Sequence, residues 1–158
     1  MTYAELPDSS RVWVYTASRQ LSEGEQTDIQ HKLNGFVKEW TAHRHALEAV
    51  AEIRNGRFLI LAVDESQAGA SGCSIDASVR FLQDLGNKYK VDFLDRMTFF
   101  ADNGEGFLPY AHTAFTEAYQ RGELTDESPV VDPLVNTKAQ LDSAFVKPLK
   151  DSWHKRFV

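Results

Sequence analysis

The residues best placed for chemistry lie between Asp64 and Ser78, where a strand-like run gives way to small residues and then to a helical pattern. The predicted helix begins at Ser74, and the first amide hydrogens of a helix have no acceptor inside it. Together with the positive end of the helix dipole, such amides can bind an anion. The candidate ligand-binding residues for a small anion are therefore Asp64, Ser71, Gly72 and Ser74.

A purely structural interpretation of the same segment is also open. Ser74 can serve simply as the N-cap of the helix, with Ser71 as an alternative cap. Asp76, in the first turn, stabilises the helix dipole without any ligand, and its charge would oppose a bound anion. The serines alone therefore do not decide between a cap and a binding site.

Cys73 is the only cysteine of the chain, and it stands directly before the predicted helix. The positive end of a helix favours the thiolate form, so this thiol is a candidate catalytic nucleophile or redox sensor. Nucleophilic catalysis also needs a base, and the five histidines are remote from Cys73 in sequence, so the fold would have to supply one. The alternative is a buried cysteine that acts as a small apolar residue.

Metal binding is the less favoured interpretation of the remaining polar motifs. His43 and His45 could ligate a metal together with Asp64 or Cys73, but the pair follows a predicted helix, whose C-terminus also favours cationic side chains. The segment DNGEG at Asp102–Gly106 lacks the twelve-residue spacing of an EF-hand. We therefore predict neither a metal nor a cofactor.

The elements that must position these residues follow a β-α-β-β-α-β order. Two helices are predicted from apolar stripes and a Ser22/Glu25 capping box, and Asn55-Gly56 predicts a hairpin turn with positive φ at both central positions. The predicted elements are a strand at Arg11–Thr16, a helix from Ser22 to Trp40, strands at Leu47–Ile53 and Phe58–Val63, a helix from Ser74 to Tyr89, and a strand at Phe93–Ala101.

This order predicts an α+β fold of the ferredoxin-like type, a βαββαβ sandwich with sheet order 4-1-3-2. The apolar run FLILAV fits a central strand, and the alternating run before it fits an edge strand. We expect one domain over residues 1–158, with a ferredoxin-like core at 1–106 and a C-terminal extension at 107–158. That helical and extended segment should cover the second sheet face, with Trp153 and Phe157 docked on the body.

Composition excludes several classes of function. The net charge of −6 argues against nucleic-acid binding, and the third predicted strand is aliphatic after Phe58, whereas that strand of RNA-recognition domains carries several stacking aromatic residues. The longest apolar run is too short to cross a bilayer, so no membrane partner is expected. A single cysteine and the lack of a secretory signal pattern favour a cytoplasmic location.

Several segments together resemble a family of small bacterial proteins of about this length. The resemblance is carried by RVWVYTASRQL, RFLILAVDE, SGCSIDASVRFLQ, Asp95–Met97 and the closing DSWHKRF. Members of that family are sometimes labelled ABC transporter ATPases. Such an ATPase needs the motif GxxxxGK[ST] to bind phosphates, and the segment Gly69–Ser74 reads GASGCS without the lysine. The resemblance therefore implies no ATPase activity.

Three classes of function remain, and the sequence leaves open whether the protein is an enzyme. The first is a small binding or regulatory module that takes an anion before the second helix, with Cys73 nearby as a sensor. The second is a thiol-dependent hydrolase or transferase in which Cys73 acts with a histidine. The third is a homodimeric interaction module that docks through its sheet.

Overall fold

A computed structural model describes all residues from Met1 to Val158, and the chain divides into two compact units. Unit 1 comprises Met1–Asp95 with Leu134–Leu141, and unit 2 comprises Arg96–Pro133 with Asp142–Val158. The sequence predicted a boundary between core and C-terminal extension after Gly106. That position lies inside unit 2, directly before the strand that begins at Phe107. None of the helices combines the length and the hydropathy of a membrane-spanning segment.

Four α-helices and nine short strands make up the regular structure, together with three 3₁₀ turns. In chain order the elements are β1 (Arg11–Thr16), α1 (Glu23–Glu39), β2 (Thr41–Ala42), β3 (His45–Ala46), β4 (Glu48–Arg54), β5 (Phe58–Asp64), α2 (Gly72–Tyr89), β6 (Thr98–Asp102), β7 (Phe107–Ala111), α3 (His112–Gln120), β8 (Pro129–Val131), α4 (Lys138–Ala144) and β9 (Val146–Pro148). The 3₁₀ turns are Tyr3–Glu5, Leu149–Asp151 and Trp153–Phe157.

The sheet of unit 1 has three antiparallel strands in the order β1-β5-β4. The predicted central position of β5 is confirmed, because every residue from Phe58 to Val63 is buried. The predicted hairpin between β4 and β5 is also confirmed, since Asn55 and Gly56 have φ values of 56° and 63°. Arg57 adds a third residue to this loop, because Arg54 pairs with Phe58.

Helices α1 and α2 pack on the same face of this sheet. Ile29 and Leu33 of α1 and Leu82 and Leu85 of α2 are buried in one core with alternate residues of β5. The predicted capping box at the start of α1 is present, with Glu25 N donating to Ser22 Oγ at 3.1 Å. The apolar stripes therefore predicted both helices and their buried faces correctly.

The ferredoxin-like strand order is not confirmed, although the α+β class is. The predicted fourth strand is broken by a turn in which Leu94 N donates to Asp92 Oδ1 at 2.8 Å. Phe93, before the break, packs in the core of unit 1, whereas β6, after it, pairs with β7 and β8 in a second sheet. The predicted strand Phe93–Ala101 is thus divided between the core of unit 1 and the core of unit 2.

The outer edge of β1 is covered by part of the C-terminal third of the chain. Val12 N donates to Asn136 O at 3.0 Å, and Lys138 N donates to Ser10 O at 2.8 Å. On the sheet face opposite the helices, the Tyr3 ring lies 5.1 Å from the Arg54 guanidinium and 5.0 Å from Lys138 Nζ. The sequence predicted that the C-terminal third, or else a second subunit, covers this sheet face, and the structure shows that the N-terminal segment contributes together with residues 134–141.

Unit 2 has a four-stranded antiparallel sheet in the order β7-β6-β8-β9. Its core contains Phe99, Phe115 and Leu149, and the predicted docking of the tail is confirmed by Trp153 and Phe157. Their ring centroids lie 5.8 Å and 5.3 Å from that of Phe99. The aromatic C-terminus is thus part of the core of this unit.

Candidate functional site

A cleft of about 460 Å³ opens in unit 1 between the end of α1 and the beginning of α2. This volume lies within the range of small-molecule sites. The cleft is lined by Phe36, Glu39, Trp40, Thr41, His43, Ser71, Cys73, Ser74 and Ala77. It thus brings together residues from two helices and from the turn that follows the first.

Cys73 lies in the first turn of α2 and is exposed. Helix α2 begins two residues earlier than the sequence suggested, because Ser71 rather than Ser74 is its N-cap. That shift places Cys73 inside the helix, where its thiol lines the cleft. The interpretation of this residue as a buried apolar cysteine is therefore wrong.

His43 reaches the cleft from the tight turn between β2 and β3. Ala42 pairs with His45, so His43 and Arg44 are the two central residues of the turn. Their φ values are 50° and 69°, in the left-handed region that costs an ordinary residue roughly 1–2 kcal/mol. Asn-Gly is the pair that usually occupies such a turn. His43 lines the cleft, whereas His45 does not.

An aromatic wall supports the other side of the cleft. Trp40 is buried, and its indole Nε1 donates to the backbone oxygen of Ser74 at 2.8 Å. The ring centroid of Phe36 lies 5.3 Å from that of Trp40 and 4.6 Å from that of Phe81 on α2. These contacts tie the end of α1 to the start of α2, so the cleft is held by both helices.

Ser71 and Ser74 line the cleft, but their polar groups bind one another. Ser74 N donates to Ser71 Oγ at 3.2 Å, and Ser71 N donates to Ser74 Oγ at 2.7 Å. Ser74 Oγ in turn donates to Ser71 O at 2.8 Å. The structure therefore uses both hydroxyls to cap α2, which leaves them little capacity for a ligand.

The amide hydrogens of Gly72 and Cys73 have no partner within the chain, as expected for the first two positions of a helix. Asp64 does not line the cleft. Its carboxylate accepts a hydrogen bond from Ser66 N at 3.0 Å, and that bond lowers the pKa of Asp64. Among the predicted anion-binding residues, Gly72 is thus the one whose backbone amide is available to donate a hydrogen bond to a ligand.

Sequence reasoning missed the residues of the cleft that come from α1 and from its end. Phe36 and Trp40 belong to the apolar stripe of α1, which predicts core residues and gives no sign of a cleft wall. Glu39 is one of many exposed acidic residues, so no sequence signal singled it out. No cluster of three or more His, Cys, Asp or Glu side chains is arranged to hold a metal ion.

The arrangement offers a thiol, an imidazole and a carboxylate beside an apolar wall. Such a set can bind a small molecule and can transfer a proton to or from a reacting thiol. Comparisons with known protein families, with curated proteins and with solved structures give no match for this chain. The function must therefore be inferred from the cleft itself.

Proposed function

We propose that the protein binds a small molecule in this cleft and acts on it as a thiol-dependent hydrolase or transferase. Cys73 is the nucleophile, and His43 is the base that accepts the proton of the thiol. The single observation that carries the proposal is the convergence of Cys73 and His43 on one cleft, although they lie 30 residues apart in the chain.

The conformation of His43 supports this assignment. A two-residue turn built from His-Arg is less stable than one built from Asn-Gly, because both residues must adopt positive φ. Strained backbone of this kind is found preferentially at functional sites, where the surrounding structure holds it in place. The strain here lies mainly at Arg44, since histidine tolerates positive φ, and it belongs to the turn that brings the imidazole of His43 to the cleft.

The position of Cys73 supports it as well. Cys73 lies in the first turn of an 18-residue helix, at the positive end of the helix dipole. The nearby amide hydrogens of Gly72 and Cys73 can donate to an oxygen atom that gains negative charge during acyl transfer. A nucleophile, a base and amide donors thus belong to one site.

The rate at which iodoacetamide alkylates Cys73 tests the proposal. Intact-mass spectrometry at pH 7 follows the reaction in the native protein, in His43→Asn and in the matched control His45→Asn, which changes the same hairpin outside the cleft. We expect His43→Asn to slow alkylation at least fivefold and His45→Asn to leave it unchanged. Equal rates in all three proteins would overturn the role of His43.

The amides of Gly72 and Cys73 also favour a second candidate, an anion-binding module without chemistry. In that case phosphate or acetate would shift the amide NMR signals of Gly72 and Cys73 in a saturable way. The shift would persist in Cys73→Ala, because the backbone donors remain. No saturable shift at either amide would exclude this candidate.

We also propose a cytoplasmic location, because a reducing compartment keeps an exposed thiol such as that of Cys73 in its reduced form. Cell fractionation followed by immunodetection tests it. Recovery of the protein in the periplasmic or secreted fraction would contradict it.

A further inference from the structure

We infer that the substrate of this cleft is an ester or thioester of an uncharged, apolar carboxylic acid, an assignment that rests on the proposed thiol function. The acyl group lies against Phe36 and Trp40, and the carbonyl oxygen faces the amides of Gly72 and Cys73. Three observations on the cleft carry the assignment: its apolar wall, the carboxylate of Glu39 and its volume.

The apolar wall selects the acyl group. Phe36 is only partly buried, and together with Trp40 and Ala77 it presents carbon surface to the cleft. Ala77 lies one turn after Cys73 on α2, so the apolar surface continues beside the thiol. An apolar acyl group placed there would lose contact with water, which is favourable by about 25 cal/mol per Å².

One acidic side chain of the cleft disfavours anionic acyl groups. Glu39 lines the same cleft, and no salt bridge involves it. Its carboxylate would repel a dicarboxylic acyl group such as succinyl. The volume of about 460 Å³ fits an acyl group of small or medium size together with part of a leaving group.

Besides the ester or thioester, the reaction needs only water. His43 accepts the thiol proton of Cys73 while the sulfur attacks the carbonyl carbon, so an S–C bond forms. The bond from the carbonyl carbon to the leaving oxygen or sulfur then breaks, and the leaving group takes the proton from His43. Water hydrolyses the resulting acyl-Cys73 thioester, which releases the carboxylic acid and restores the thiol.

The test uses the full-length protein and three p-nitrophenyl esters: acetate, benzoate and hemisuccinate. We expect a burst of p-nitrophenol with the benzoate, an added benzoyl mass on Cys73, and kcat/KM at least tenfold higher for the benzoate than for the hemisuccinate. Cys73→Ala should abolish the burst and the added mass. Glu39→Gln should narrow the gap between the benzoate and the hemisuccinate.

The contribution of the wall is tested with Phe36→Leu, which keeps an apolar side chain of moderate size, and with Val37→Ala, a core change outside the cleft. Phe36→Leu should lower kcat/KM for the benzoate about tenfold and lower that for the smaller acetate much less, whereas Val37→Ala should affect both esters equally. Thermal unfolding confirms that each variant folds.

The outcomes separate this inference from the proposed function. If His43→Asn slows alkylation but none of the esters acylates Cys73, the substrate class is wrong and the thiol function stands. The same holds if the ester preference is unchanged in Phe36→Leu and Glu39→Gln. If His43→Asn does not change the rate of alkylation and no ester reacts with Cys73, both the substrate class and the proposed function are wrong. Acylation of Cys73 with the expected preference supports both.

Discussion

Replacing His43-Arg44 by Asn-Gly should stabilise unit 1 and at the same time slow the reaction of Cys73. Both central residues of this turn have positive φ, at 50° and 69°. Asn and Gly adopt that conformation more readily than His and Arg, so the double variant removes strain from the folded state. It also removes the imidazole from the cleft, so stability and reactivity should change in opposite directions.

The magnitude follows from the two substitutions. Left-handed backbone costs a residue such as Arg44 roughly 1–2 kcal/mol, and glycine removes that cost. Glycine also gives the unfolded chain more freedom, which offsets roughly 0.5–1 kcal/mol of the gain. His43→Asn adds only a small amount, because both side chains tolerate this region. The free energy of unfolding should therefore rise by about 1 kcal/mol, or roughly 4–8 °C in Tm for a unit of this size.

Thermal unfolding by circular dichroism measures the stability, and iodoacetamide alkylation measures the reactivity of the thiol. The matched control is the other turn of unit 1, where Asn55→His with Gly56→Arg makes the reverse exchange. That control should lose about as much stability as the first variant gains, because an arginine at position 56 would have to adopt a φ of 63°. It would also displace the side chain of Gln20, whose Nε2 donates to Asn55 O. If the double variant at His43-Arg44 is less stable than the native protein, the native turn is not strained. If Cys73 is alkylated at an unchanged rate in that variant, His43 is not its base.

Two further predictions concern stability outside the cleft. Burial lowers the pKa of His154 from 6.5 to about 4, so the unfolded chain binds the proton first; the stabilisation is complete above pH 6.5 and is lost as the pH falls towards 4. Between pH 7.5 and 5, the free energy of unfolding of unit 2 in urea should fall by about 2 kcal/mol, because the slope approaches 1.36 kcal/mol per pH unit below pH 6.5; an equal loss in His154→Gln would contradict this cause. A Cβ atom at Gly86 would lie 2.5 Å from the carbonyl oxygen of Val91, so Gly86→Ala should destabilise unit 1 by about 1–3 kcal/mol in the same assay. Gly35→Ala, where nothing lies within 4 Å, should instead stabilise α1 by up to about 1 kcal/mol, and equal effects at the two glycines would contradict the contact at Gly86.

Local patterns in the sequence were sufficient for the elements of unit 1. The capping box at Ser22 and the apolar stripe after it predicted α1, because both signals depend on neighbours within a few turns of the same helix. The Asn55-Gly56 pair predicted the turn between β4 and β5 for the same reason, since its positive φ values are a property of those two residues.

The pairing of β6 could not be predicted in that way. The residues from Phe93 to Ala101 are apolar enough for one strand, but which sheet accepts them depends on partners far along the chain. Ala101 pairs with Leu108 and with Val130, and nothing near Ala101 in the sequence specifies Val130. Strand order is thus a long-range property, which is why the local pattern gave the α+β class but not the order.

The site was predictable only for the part that lies on one helix. Cys73 and the serines stand together in the sequence, so the start of α2 was visible as a candidate. The turn at His43 was not, because Thr41–Ala46 has none of the residues that favour a two-residue hairpin, and its position beside α2 depends on the contact of Trp40 with Ser74. A residue that adopts an unfavourable conformation leaves no propensity signal from which to predict it.

The hydrogen bonds at the start of α2 explain why a thiol is a better candidate for the working group than a serine hydroxyl. Ser71 and Ser74 satisfy the groups that the helix end would otherwise leave without partners, and a ligand that recruited their hydroxyls would have to break the cap, at a cost of about 1 kcal/mol or more. Cys73 has no such duty, because its side chain is exposed and no hydrogen bond of the cap involves it. Ser71, Cys73 and Ser74 all line the cleft at the start of α2. Of these three, only Cys73 can therefore react without destabilising the helix.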